Sequence, residues 1–119
     1  MKRADAVCKA YNGATRSTKR PRTYGQIVSY VRTTLPLYQA AIDKLAELKP
    51  PSSDEDAVRT WLAADRRVGR AIRSLGEAAE RRDYPSVNVA YSKAELASSA
   101  AERAAGGLGM SVCGRLNGR

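Results

Sequence analysis

The sequence predicts an all-α protein, an up-and-down four-helix bundle of one short N-terminal helix and three long antiparallel helices. Three observations predict it. Apolar residues recur at intervals of three and four over three long stretches, the spacing of one helix face. Capping and stop signals separate those stretches. The connections between the last three helices are short, which makes those helices antiparallel neighbours. With 119 residues, the chain forms a single domain over 1–119, because two halves would each be too small to bury a core.

Residues 4–12 read as the short helix. Val7, Cys8 and Tyr11 share one face, and Gly13 is the expected stop. Residues 13–22 have no apolar period and contain Pro21, so they are expected to form a basic loop. Thr23 and Gln26 have the spacing of a capping box. The stripe Ile27, Val31, Leu35, Tyr38, Ile42, Leu45 then predicts a helix over about 24–49. Pro36 lies inside it and is expected to kink the helix without ending it, because the stripe resumes in phase.

Lys49-Pro50-Pro51 stops that helix, and Ser53 is the expected cap of the next. Asp54, Glu55 and Asp56 occupy its first turn, where the helix dipole favours anions. Val58, Trp61, Leu62, Val68, Ile72, Leu75 and Ala79 predict a helix over about 54–82. Asp83 is the expected cap of the last helix, with Pro85 in its first turn. Its stripe, Val87, Tyr91, Ala94, Ser98, Ala101 and Ala105, is made of small residues, which let a neighbour approach closely. Gly106-Gly107 ends it, and the C-terminal tail 107–119 is expected to be extended.

The net charge is +9 with no histidine. Absence of histidine removes His-ligated zinc, the Ser-His-Asp triad and the Cys-His dyad. The excess is uneven: residues 1–22 carry seven cations against Asp5, whereas residues 51–83 carry seven of each sign. A basic segment on a near-neutral body indicates a contact with an anionic surface or polyanion, and makes nucleic acid a less expected partner of the whole fold. No run of 18 apolar residues occurs, so no transmembrane segment is expected.

Cys8 and Cys113 lie near opposite ends of the chain. In an up-and-down bundle the tail after Gly106 can reach the first helix. A disulfide is the favoured reading, with two free, partly buried thiols as the alternative. A disulfide would indicate an oxidising compartment. Residues 1–12 contain no apolar core of a signal peptide, so an exported protein would have its signal segment outside this chain.

Several short motifs occur in order: Ala4-Asp5-Ala6-Val7-Cys8 with Asn12 after it, Leu45-Ala46-Glu47-Leu48-Lys49-Pro50-Pro51, a helix with Trp61, and Leu108-Gly109-Met110-Ser111-Val112-Cys113-Gly114. Over nearly the whole chain this order resembles small exported or lipoprotein-type helical proteins of high-GC Gram-positive bacteria. The resemblance implies export and a Cys8–Cys113 disulfide. It brings no activity to transfer. The basic residues 16–22 depart from it, since a less charged linker is expected there.

Asp65 is the residue least at home in its stripe: it falls at the centre of the apolar face of the third helix, where an unpaired carboxylate is costly. Matching levels through the two turns places it near Tyr38 and near Ser98, so Tyr38, Asp65 and Ser98 are expected to form a polar layer that sets helix register, or else a small pocket. Gly69 and Gly76 are expected to make room for residues of the last helix, Ser98 and Tyr91. Arg66, Arg70 and Arg73, with Arg59 and Arg67, form a basic stripe. Of these, Arg66, Arg70 and Arg73, together with Arg16, Lys19, Arg20 and Arg22, are the candidate anion-binding residues. Glu55 and Glu77, four residues from Arg59 and Arg73, are the expected ion-pair partners. Of the six tyrosines, Tyr38 and Tyr91 fit the core, and Tyr11 and Tyr24 flank the basic loop as candidates for base stacking. There is no phosphate loop, zinc spacing or helix-turn-helix. The expectation is a non-enzymatic, exported binding protein of the cell envelope without a cofactor or metal. The alternatives are a polyanion or nucleic-acid binder through the basic loop, and a small-ligand carrier with a pocket near Asp65.

Overall fold

The computed structural model describes residues 2–15, 21–110 and 112–113. They form four helices: α1 (Lys2–Thr15), α2 (Tyr24–Glu47), α3 (Glu55–Glu80) and α4 (Tyr84–Gly107). A single 3-10 turn, Ser52–Asp54, precedes α3. There is no strand among the described residues.

α1 runs through Gly13 to Thr15, past the expected stop. An interior glycine costs a helix only about 1 kcal/mol, and the Thr15 hydroxyl donates to the carbonyl oxygen of Tyr11 at 3.0 Å. Residues 13–15, expected in the basic loop, are therefore helical. Residues 16–20, most of its basic part, lie outside the described residues.

In α2, Thr23 Oγ1 accepts the Gln26 N–H at 3.1 Å. The Gln26 carboxamide reaches one residue further back than in a capping box, accepting the Arg22 N–H at 2.8 Å. α2 is continuous through Pro36. Thr34, not Leu35, occupies the buried stripe position before the proline; Leu35 is only half-buried.

Ser53 does not cap α3. It sits inside the 3-10 turn, and Asp54 takes the N-cap position without a side-chain capping bond. The first-turn anions Glu55 and Asp56 are in place. Asp83 caps α4 as expected: its carboxylate accepts the Ser86 N–H at 3.2 Å and the Ser86 hydroxyl at 2.7 Å. These bonds hold the Asp83 carboxyl below its ordinary range.

Both ends of the α3–α4 pair close by the same device. After α3, Arg82 adopts a positive φ of 53°, and the N–H groups of Arg82 and Asp83 return to the carbonyls of Ala79 and Ala78. After α4, Gly109 adopts φ 78°, and Gly109 and Met110 return to Gly106 and Ala105. Both are Schellman closures, which favour glycine at the left-handed position. The chain after Gly107 thus folds back, and Met110 and Cys113 are each only 1% exposed. The described part of the tail is not extended.

α3 is the central element. α2 and α4 flank it without their backbones meeting, and α1 lies against α2. One apolar cluster fills the half of the bundle nearest the termini, built from Cys8, Tyr11, Tyr38, Trp61, Ala105 and Met110 among others. A second fills the opposite half around Ile27, Val31, Leu75, Val87 and Ala90. Alanines at 64, 71 and 78 on α3 and at 90, 101 and 105 on α4 are buried, which keeps large side chains out of the space between helices. The glycines of α3 serve α2 instead of α4. A Cβ on Gly76 would meet Val31 Cγ1 at 2.8 Å, and one on Gly69 would meet the Tyr38 ring at 3.8 Å. Neither Tyr91 nor Ser98 is the neighbour that requires them.

Candidate functional sites

The two ends of the chain are fastened together. Cys8 on α1 and Cys113 form a disulfide with Cα atoms 5.3 Å apart. Asp5, one turn before Cys8, contributes a carboxylate oxygen that accepts the N–H groups of Val112 (3.0 Å) and Cys113 (3.1 Å). A carboxylate facing two backbone N–H groups is a charge-assisted clasp. Nothing in the sequence pattern singles out this role for Asp5, because the spacing of 107 residues is created by the fold.

Inside the bundle, the Tyr38 hydroxyl donates to Asp65 Oδ1 at 3.1 Å. Asp65 is 1% exposed and Tyr38 3%. Burial pushes the Asp65 carboxyl up to about 6, opposed by the bond from Tyr38. Burial, followed by the nearby Asp65, pushes the Tyr38 hydroxyl above its ordinary range. The Tyr11 ring stands edge-on to that of Tyr38, centroids 5.4 Å apart. Ser98 is buried on α4. Asp65 Oδ2, Trp61 Nε1, Thr34 Oγ1 and Glu102 Oε1 are buried without a hydrogen-bond partner among the described residues. Level matching identifies Tyr38 and Asp65 correctly. Trp61 escapes it because it reads as an apolar stripe residue, and Thr34 because it lies off the expected α2 stripe and is buried only by the rotation of that helix.

Of the candidate anion-binding residues, Arg16, Lys19 and Arg20 lie outside the described residues, and Arg22 is exposed at the start of α2. Arg66, Arg70 and Arg73 are exposed along α3. The expected ion pairs do not form: Arg59 pairs with Asp56 at 3.1 Å instead of Glu55, and Glu80 pairs with Arg32 at 3.6 Å. No carboxylate among the described residues lies within ion-pair distance of Arg66, Arg67, Arg70 or Arg73.

On the outer side of the α3–α4 pair, a groove of about 440 Å³ is lined by Arg67, Arg70 and Ser74 of α3 and Lys93, Leu96 and Ala97 of α4, among others, with no carboxylate. Leu96 is 73% exposed. Arg70 is therefore joined by Arg67 and by Lys93 of the next helix, not by Arg66 and Arg73 alone. Lys93 escapes sequence reading because α4 shows no basic stripe of its own; the α3–α4 packing brings it beside Arg67 and Arg70.

A second groove, of about 400 Å³, lies where α2 and α4 begin, and Arg22, Tyr24, Ile27, Tyr84, Asn88 and Tyr91 line it. Tyr11, an expected stacking residue, is buried in the core instead. Tyr91, expected in the core, is half-buried and lines this groove.

No helix among the described residues is long and apolar enough to cross a membrane, and no group of three or more metal-ligating side chains occurs among them. No family model, curated protein or solved structure matches the chain.

Proposed function

We propose that this is an exported, non-enzymatic binding protein that docks on an anionic surface of the cell envelope through the outer face of α3 and α4. The carboxylate-free groove lined by Arg67, Arg70 and Lys93 together with the exposed Leu96 carries this reading. Cations without a carboxylate partner among the described residues are available to an external anion, and each lysine or arginine near an anionic membrane contributes about 1 kcal/mol. An exposed leucine among them adds apolar area that a purely electrostatic contact has no use for. The disulfide supports an oxidising compartment, in line with the resemblance to exported proteins.

Co-sedimentation with vesicles tests it. The protein is expected to bind equimolar phosphatidylglycerol and phosphatidylcholine vesicles, and to leave pure phosphatidylcholine vesicles in the supernatant. Replacing Arg67, Arg70 and Lys93 by alanine should weaken binding about fivefold per cation. Leu96→Ser should weaken binding to vesicles and leave retention on heparin unchanged. Equal binding to neutral vesicles, or full binding by the triple variant, rejects the surface. Retention on heparin that is lost in the triple variant, without vesicle binding, selects a polyanion as the partner.

A further inference from the structure

We infer that the groove between the starts of α2 and α4 binds a nucleotide, meaning a planar heteroaromatic ring that carries a phosphate. This groove shares no lining residue with the α3–α4 face, so the inference stands apart from envelope docking.

Three features of the groove select that chemistry. The first is aromatic. Tyr84, Asn88 and Tyr91 follow one another at i, i+4 and i+7, so α4 presents two rings and an amide on one face. Tyr24 of α2 lines the same groove. Tyr84 is 64% exposed, a large ring left in water at the rim. Tyrosine rings that stay accessible stack planar ligands, with about 1–3 kcal/mol per stacked base.

The second feature is charge. The Arg22 guanidinium has no carboxylate partner among the described residues, and no Asp or Glu lines the groove. The Arg22 backbone is held by its N–H bond to Gln26 Oε1 at 2.8 Å, so the cation emerges from a fixed point. Neither Gln26 nor Asp83, whose side chains bond the backbone at the starts of α2 and α4, lines the groove. An anion on the ligand would give the exposed Arg22 guanidinium a charge partner that a neutral ring does not.

The third feature is the Asn88 amide. It is exposed and has no side-chain partner among the described residues. A carboxamide offers a donor and an acceptor together, which matches the paired acceptor and donor on a base edge. The groove volume of about 400 Å³ lies within the range of small-molecule sites.

NMR titration of the full chain, followed by amide shifts, tests the assignment with adenosine monophosphate as the probe. Shifts are expected at residues 22–27 and 84–91, with adenosine binding more weakly and inorganic phosphate alone producing no comparable pattern. Tyr84→Ala, at a position exposed enough to spare the fold, should weaken adenosine monophosphate about tenfold. Arg22→Ala should weaken adenosine monophosphate and leave adenosine unchanged. A short oligoadenylate that binds more tightly than the monophosphate assigns the end or interior of a strand as the source; equal affinity assigns free nucleotide. Absence of shifts at these residues overturns the inference. So does an identical pattern with inorganic phosphate, or an unaltered affinity in Tyr84→Ala.

Discussion

Asp65 is held in the core by one bond from Tyr38, while its second oxygen has no partner among the described residues. Its carboxyl titrates near 6 in the folded protein, against an ordinary value of 3.8. The folded state therefore binds the proton more tightly than the unfolded chain does. Stability from this group is highest below about pH 4, declines as pH rises towards 6, and is level above that. The shift of about two pK units corresponds to roughly 2–3 kcal/mol of cost at neutral pH. Asp65→Asn keeps an acceptor for Tyr38 and removes the charge. Because the amide N–H groups then sit at the unpartnered Oδ2 position, it should raise the unfolding free energy at pH 7 by about 1 kcal/mol, less than the full cost of the charge, and remove the Asp65 share of the decline between about pH 4 and pH 6. Urea titrations across that range read both effects, and a variant no more stable than the parent at pH 7 contradicts them. The anomaly of Asp65 is legible in its stripe, and so is its tyrosine partner, because both follow from helical periodicity. Thr34 and Glu102 are not, because only the rotation of α2 and α4 about α3 decides that their oxygens are buried.

At the scale of helices, the sequence specifies where each begins more reliably than what stands beside it. Thr23 and Asp83 cap as their local pattern requires, since capping involves only neighbours along the chain. Ser53 does not, because the preceding Pro51 starts a 3-10 turn whose Asp54 N–H bonds the Pro51 carbonyl. The two glycines of α3 show the limit most clearly. Antiparallel level matching has a choice of two neighbours, and both glycines turn towards α2. Their consequences differ. Gly76→Ala pushes a methyl into Val31 and should destabilise the protein by about 1–3 kcal/mol, as overpacking does. Gly69→Ala places a methyl at ordinary contact distance from Tyr38, so the helix-propensity gain of about 0.5–1 kcal/mol should survive. Thermal unfolding of the pair checks the opposite signs, and equal shifts would mean that α2 does not press on α3 at Gly76.

At the scale of the molecule, the termini meet at one end of a body 45 Å long, while the tyrosine groove lies at the other end, where α2 and α4 start. The helical bundle and the joined termini are legible in the sequence because they follow from stripe order and turn length; the central place of α3, with α2 and α4 apart, is not. The two grooves are not, because each draws on two helices whose relative rotation the stripes leave open. The Cys8–Cys113 bond spans 105 residues, and closing a loop of that size removes denatured-state entropy worth about 4–5 kcal/mol. Replacing both cysteines by serine should lower the unfolding free energy by about that amount, measured by denaturant titration. The double variant should stay helical, since Asp5 still holds the Val112 and Cys113 N–H groups.

Residues 8 to 113 form a covalent ring. A protease that cuts once within it, for instance at the exposed Arg81-Arg82 turn, opens the ring without dividing the molecule. The two pieces stay tethered at high local concentration, and α3 and α4 can dock again across the nick. A single cut inside residues 8–113 therefore does not divide the protein; that takes a second event, either another cut within the ring or reduction of the disulfide.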